Sequence, residues 1–388
     1  MIDYIKMELE GEFPPLGKPR TVMHESGVVT EGFTSDRYYL FGNGADFELR
    51  LNPSRDLLTL GFCPPKILQG HNGLGSNDLV GVVRHAVPRI LKSLGIKVDS
   101  SMKGRLKCGD YRLTEVHINE LHAMPHAAIP ALVHGIRRYG PDSLQAVPIE
   151  KGIGVRLWPN SDARQVLIYD KVTYFLDKPG KHFEVLHAGV EQETFAWFGL
   201  NFDFDDLLAY LRQGVRIEVK LKRPFLKRVH ELELRGGERV KTSLDRGGHW
   251  TAEIARAVRR AVLRSVPLGD RVLTTVIDTA IGESLPVDAT LLALWHGGRD
   301  PKEFNVPAST YYRRRMAILE KYGLDISKPW VKLPDGLTWT QLIDDSAVIE
   351  RAPKWARGSG FFFNPRKPRQ VTRAGRATTT RTRVDGVE

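Results

Sequence analysis

The sequence predicts an α+β chain in three parts: an antiparallel sheet with interspersed helices over residues 1–235, a mostly helical region over residues 250–335, and a basic flexible tail over residues 351–388. Three observations carry this. Period-two alternation of polar and apolar residues recurs through the first part and is broken by stretches of helical spacing, the mark of strands and helices sharing one sheet. Beyond Arg235 the alternation stops, residues 236–249 turn rich in glycine and charge and read as an exposed linker, and helical spacing takes over. The tail holds ten basic residues against Asp385 and Glu388, a net +8 of the chain's +11, with few apolar residues beyond Phe361–Phe363.

Composition sets the outer limits. The 388 residues are 41% hydrophobic, enough for sizeable cores. An excess of 57 Lys and Arg over 46 Asp and Glu points to a polyanionic partner. Apolar runs of 18 residues are absent, which excludes a transmembrane helix. The acidic start, Met1 to Glu10, lacks the basic and apolar stretches of a secretory signal. Two cysteines, Cys63 and Cys108, can neither staple so long a chain nor make a thiolate zinc site, so the expected setting is a reducing cytoplasm.

The alternation places strands at Phe47–Leu51, Arg112–Asn119, Gly154–Trp158, Gln165–Thr173 and Val215–Leu221. Helical spacing marks Leu79–Leu94, Ile129–Tyr139 and Phe204–Arg212 in the first part. In the second it marks Thr251–Val266, Arg271–Gly282, Asp288–His296 and Ser309–Tyr322, with Pro286, Pro301 and Pro307 near the breaks.

Four segments carry chemistry. In Val215–Leu221 the apolar residues face one side and Arg216, Glu218 and Lys220 the other. A carboxylate between two cations on a strand can orient Mg²⁺ and hold phosphates beside it, and the same pattern also makes an ordinary ladder of ion pairs. In the strand Val166–Val172, Tyr169 and Lys171 are two apart and project from one face. A phenol with a cation beside it can attack a phosphodiester; it can equally be a half-buried sheet aromatic. In Leu113–Asn119, His117 and Asn119 share a face with Ile118 turned inward. This is nearly the His-hydrophobe-His arrangement that presents two metal ligands side by side, with the second replaced by a weaker oxygen ligand. Finally, Cys63–Leu79 is a glycine-rich loop entering a helix, with His71 and Asn72 inside it and Ser76 or Asn77 placed to cap the helix. Such a loop suits anion binding by backbone amides. It lacks the closing Gly-Lys-Ser/Thr of a Walker A loop.

Taken together, these segments resemble the filamentous-phage gene II/X replication initiator family. The loop Pro65–Leu79 resembles the family's signature. Glu115-Val116-His117, Tyr169-Asp170-Lys171 and Val215–Lys220 follow in the family's order. Phe225-Leu226-Lys227, Ser309–Arg315 and Tyr322–Ile326 look familial too, so the resemblance spans residues 60–327. It implies a rolling-circle nuclease fold related to the His-hydrophobe-His enzymes. The implied activity is a site-specific nick in the viral strand of the double-stranded replicative form at the origin, giving a 3′-OH primer, followed by rejoining of the displaced single strand. Tyr169 is then the nucleophile with Lys171 its neighbour, and Glu218, His117 and Asn119 are the metal ligands for Mg²⁺ or Mn²⁺. DNA contacts fall to His71, Asn72, Arg216, Lys220, Arg313 and Arg314. Host polymerase and helicase in the bacterial cytoplasm are the implied partners. His117 stands where the family usually has Asp and Glu115 where it usually has Arg, which removes a negative charge from the ligand set.

The C-terminal helices fit a helix-turn-helix-like reader. Ser309–Tyr322 presents Tyr312, Met316 and Leu319 as an apolar stripe, leaves Arg313 and Arg314 off it, opens on a capping Ser or Thr and closes at Gly323. Two other classes compete with a nicking enzyme: a non-catalytic origin-binding regulator on the same fold, against which Tyr169, Lys171 and Glu218 argue, and a metal hydrolase of small phosphate esters, against which the basic tail argues.

Overall fold

Alternating apolar positions need a partner layer, and in the computed structural model they find it in one large sheet. The structure describes residues 1–14, 19–23, 29–33, 36–39, 46–52, 56–149, 153–177, 204–271, 273–274, 277–330, 336–349, 352–357 and 362–366. Strands β1 (Ile2–Glu10), β2 (Pro19–Met23), β3 (Val29–Phe33), β4 (Asp36–Tyr39), β5 (Asp46–Asn52) and β6 (Leu57–Phe62) precede β7 (Arg112–Ala123), β8 (Val147–Pro148), β9 (Gly154–Leu157), β10 (Arg164–Tyr169) and β11 (Gly214–Lys222). Nine of them form an antiparallel sheet in the order β4-β5-β6-β1-β7-β11-β10-β9-β8, and β2 and β3 pair separately.

Helices α1 (Pro64–Gln69), α2 (Leu79–Ser93), α3 (Ser100–Cys108) and α4 (Ile129–Tyr139) follow β6 and β7, and α5 (Lys171–Asp177) and α6 (Phe204–Leu211) lie between β10 and β11. The apolar face of α2, Val83, Ala86, Val87 and Ile90, shares a fully buried core with Ile5, Met7, Ile118, Val166, Ile168, Ile217 and Val219 of the sheet. Asp78 caps α2, accepting from the Gly81 N–H at 2.9 Å. Ser76 instead accepts from the Asp78 N–H, so the capping role expected of Ser76 or Asn77 falls one residue later.

After α7 (Arg223–Leu226), the residues read as a linker join a hairpin of β12 (Val229–Glu233) and β13 (Arg239–Ser243). Its turn uses Gly236 and Gly237 at φ +109° and +88°, a backbone that glycine alone adopts without strain. Helices α8 (Ala252–Arg264), α9 (Ile277–Gly282), α10 (Pro286–His296), α11 (Ala308–Tyr322) and α12 (Trp339–Leu342) complete the described chain. Val258, Leu291, Ile318 and Trp339 belong to the same buried core as the sheet.

Two expectations fail on α11. Tyr311, Ile318 and Tyr322 face inward, whereas Tyr312 and Met316 are 59% and 41% exposed. The two apolar rows of this helix are near equivalents in sequence, and packing against α4, where Gly323 closes on Ala131 and His134, selects one. Pro307 precedes the helix with no side-chain cap, and Gly323 ends it at φ +70° as predicted.

The tail begins as folded structure. Ala356 and Phe362 join Leu74, Leu121, Val172, Leu207 and Leu211 in a second, smaller core. The Phe363 N–H donates to Gln69 Oε1 at 2.8 Å and Arg84 donates to the Pro365 carbonyl at 2.9 Å. These contacts tie residues 352–357 and 362–366 of the expected tail to the fold; residues 351, 358–361 and 367–388 lie outside the described residues. Among the described residues, no helix is long and apolar enough to cross a membrane.

Candidate active site

Register places the polar residues. Tyr169 of β10 lies opposite Arg216 of β11, and Leu167 opposite Glu218. On the other side of β11, Glu218 faces Asn119 and Lys220 faces His117. Directly opposed residues share a face, so the expected residues of three strands converge on the side of the sheet away from the main core.

Two bulges add to this face. Between β1 and β7, Ile2 pairs with Ile118 and Tyr4 with His117, leaving Asp3 as an extra residue; farther along, Lys6 pairs with Glu115 and Met7 with Leu113, leaving Thr114 extra. Strict alternation from Ile5, Met7 and Leu9 would send Asp3 into the core. The bulge turns it out instead, into a cavity of about 470 Å³. Tyr169, Lys171, Glu218, His117, Asn72 and Lys220 all line that cavity, together with Asp3, Lys66 and Tyr174.

Tyr169 ends β10 and Lys171 begins α5, so the two do not share a strand face as expected. Asp170 breaks the strand: its carboxylate accepts from the Val172 and Thr173 N–H groups, at 2.9 and 3.2 Å, and pairs with His126 at 2.9 Å. Both side chains reach the cavity all the same, with Lys171 Nζ 5.7 Å from the Tyr169 ring centroid. It lies closer to the rings of Tyr174 and Phe175, at 4.7 and 4.6 Å. Burial, helped by the charge of Arg216, lowers the Lys171 pKa to about 7.

The Tyr169 hydroxyl donates to Glu218 Oε2 at 3.3 Å. Burial, and next the Glu218 charge, push this phenol well above its ordinary value, so the free site keeps it protonated. His117 sits between two carboxylates, with Nδ1 3.0 Å from Glu218 and Nε2 2.7 Å from Glu115. Burial works against its charge, but the hydrogen bonds to Glu115 and Glu218 outweigh burial and raise its pKa. Burial likewise pushes Glu218 up, yet the hydrogen bond and charge of His117, with Lys220 and Lys171, hold it at about 2.

The glycine-rich loop is a scaffold beside this cavity. Gly70 ends α1 at φ +82°, and a side chain at Gly73 would come within 2.7 Å of Leu207. His71 is buried, its Nδ1 accepting from the Gly73 N–H at 3.2 Å. Asn72 turns toward the cavity and donates to Asp3 at 3.0 Å. Arg216, 2% exposed, donates to the carbonyls of Asn72 and Gly73 at 3.1 and 2.8 Å. Asn119 and Arg216 line a separate hollow of about 60 Å³, where Asn119 Nδ2 has no hydrogen-bond partner among the described residues. Arg313 is exposed on α11, while Arg314 pairs with Asp288 at 3.6 Å.

The first 252 residues match the family model that describes the N-terminal part of the gene II replication-associated protein of phages. The chain belongs to this phage gene II family. It is also 23% identical over 270 residues to the corresponding replication-associated protein of Enterobacteria phage I2-2, a match covering 68% of each chain. The chain is therefore a phage replication protein.

For a gene II family site that is expected to use a divalent cation, the donor set decides what can bind. His117 Nδ1 and Glu218 Oε1 are 3.0 Å apart and share a hydrogen bond, so the imidazole must give up that proton before both could serve one cation. Among the described residues, no cluster of three His, Cys, Asp or Glu is placed to hold a metal. Any cation here would therefore draw on Glu218 and a deprotonated His117, with water and phosphate oxygens left to complete its shell. Asp3 and Lys66 escaped the sequence reading. Only Asp3 left a signal, a charged residue at an inward position of an alternating strand.

Proposed function

We propose that this gene II family protein initiates rolling-circle replication by nicking one strand of a double-stranded phage origin, with Tyr169 as nucleophile. The observation that carries it is the gathering of Tyr169, Lys171, Glu218 and His117 from three strands and a helix start in one 470 Å³ cavity. As the bond from Tyr169 Oη to phosphorus forms, the bond to the 3′ oxygen breaks. The 5′ phosphate stays on the tyrosine and the 3′ oxygen leaves protonated, ready to prime a host polymerase. The later rejoining is the reverse attack by a 3′-OH.

Mg²⁺ or Mn²⁺ held by Glu218 and His117 would polarise the scissile phosphate. Glu218 orients the phenol by accepting its hydrogen bond. Lys171, with a pKa near neutrality, is suited to take up the phenol proton during attack or to neutralise the phosphate. Lys220 lines the cavity and offers a further phosphate contact. Arg313 on α11 and the basic residues beyond 366 supply charge for duplex DNA, a host helicase acting after the nick.

Tyr174 is the second candidate nucleophile, favoured by its position in the same cavity and by the 4.7 Å between Lys171 and its ring. The test is nicking of supercoiled plasmid carrying the phage origin, with and without Mg²⁺ or Mn²⁺. Tyr169→Phe is expected to lower the rate by at least about 10³-fold while origin binding persists. Normal nicking by Tyr169→Phe together with loss in Tyr174→Phe transfers the role to Tyr174. No nicking by the unaltered chain leaves the origin-binding regulator.

A further inference from the structure

We propose that the polar face of the sheet beyond the cavity is a track for single-stranded nucleic acid, running along β11 toward the β7–β13 corner. The inference rests on the nicking function above and assigns a path to the strand that enters or leaves the site. Outward positions continue the cavity two residues at a time: Lys220 to Lys222 on β11, His117 to Glu115 on β7, and Tyr4 to Lys6 on β1. From Glu218 to Lys222 this floor runs ~14 Å at about 3.4 Å per residue.

Two hollows occupy it, of about 390 and 240 Å³, and they share Glu8, Thr114 and Arg223. Thr114, the bulged residue of β7, lies where they meet, so the irregularity that breaks the alternation also shapes the floor.

The charge along this floor is selective. Three of its acids are already engaged: Glu48 with Lys6 at 3.5 Å, Glu8 with Arg223 at 3.2 Å, and Glu115 with His117 at 2.7 Å; Asp245 is the fourth, in the far hollow. Arg112, Lys227 and Arg246 line the far hollow or its rim and have no carboxylate partner among the described residues. In the far hollow Arg112, Arg223, Lys227 and Arg246 outnumber Glu8 and Asp245, and an excess of cations leading out of the proposed nicking cavity fits a phosphate backbone.

The experiment uses the full chain and two triple variants. Arg112→Ala, Lys227→Ala and Arg246→Ala remove three track cations whose side chains make no hydrogen bond among the described residues. Lys92→Ala, Lys97→Ala and Lys103→Ala remove the same charge from exposed positions of α2, α3 and the turn between them. Each protein is titrated with a fluorescein-labelled oligothymidylate of about fifteen nucleotides, and with a random duplex of equal length, over a range of salt. The track triple is expected to bind the oligothymidylate about tenfold more weakly and to flatten its salt slope by ~2, at ~0.7 per contact. The control triple should change affinity by less than about twofold. Equal losses in the two triples, no loss in the track triple, or a loss confined to the duplex would each overturn the track. Because binding is read without cleavage, a chain that holds the oligothymidylate through these residues but never nicks origin DNA would sink the nicking function and leave the track standing.

Discussion

β11 and α11 carry comparable runs of charge and use them in opposite ways. On β11, Arg216, Glu218 and Lys220 alternate with Val215, Ile217, Val219 and Leu221, and every charged group turns toward the site side of the sheet. On α11, Arg313, Arg314 and Arg315 are consecutive and splay around the helix. Arg314 pairs with Asp288 and Arg315 with Asp325, at 3.6 and 2.9 Å, so two of the three hold the fold together. A strand has two faces and one residue's step between them, whereas a helix distributes neighbours over 100° each. Charge on a strand is therefore aimed by the sequence, and charge on a helix is aimed by whatever the helix packs against.

The largest effect that can break this contrast is at Arg216. Its guanidinium is the donor for two buried loop carbonyls, so Arg216→Ala should cost about 3–5 kcal/mol in urea unfolding. A loss below about 1 kcal/mol, toward the scale of ordinary surface changes, would mean that the loop does not depend on β11.

Lys171 sharpens the comparison through pH. Unfolded, the amine keeps its proton up to its ordinary value of 10.5; folded, burial releases it at about 7. Between those values the folded chain binds fewer protons, so its stability rises with pH, and below 7 the full cost of burying the ammonium is present. Lys171→Met should therefore stabilise the fold by a few kcal/mol below pH 7, at ~1.4 kcal/mol for each tenfold change in proton affinity. The gain should fade toward pH 10, where the amine is neutral in both states. A pH-independent difference in Tm would show that Lys171 is hydrated in the fold.

Glu218→Gln tests the proposed cation directly. The amide keeps the shape and loses the charge, so the Mg²⁺ concentration for half-maximal nicking should rise by about 10–100-fold. An unchanged requirement would remove Glu218 from the ligand set. His117→Asp, which introduces the carboxylate that the family resemblance implies here, should retain or improve Mg²⁺-dependent nicking.

The smallest effects fall on α11. Arg315→Ala should cost ~1 kcal/mol of stability and leave the salt slope of duplex binding alone, because its partner is Asp325. Arg313→Ala should leave stability unchanged and reduce the slope by ~0.9. The reverse pattern would place the DNA-facing side of α11 elsewhere.

The strands were legible because their alternation matches a sheet with one buried face. β7, β9, β10 and β11 lie at or close to their expected positions, and Glu218, Tyr169 and His117 meet where period two sends them. Predicted strand Gln165–Thr173 runs on into α5 because Asp170, which can cap a helix as easily as it can sit in a strand, finds two free N–H groups after it. Asp3 and Thr114 were illegible for a different reason: a bulge is a property of two strands in register and has no period of its own.

By itself the sequence determined the α+β character, the faces of the central strands, the apolar side of α2 and α4, and the motif order that marks the gene II family. Tertiary structure alone decided that Arg216 serves the loop, that Asp3 joins the cavity, that Tyr311 and not Tyr312 faces inward, and that Ala356 and Phe362 close over the loop. The division follows the range of the forces. Side-chain direction within an element is fixed by local backbone geometry, which the sequence writes out. Which of several near-equivalent faces is buried, and which polar group finds a partner, depends on contacts between residues hundreds of positions apart.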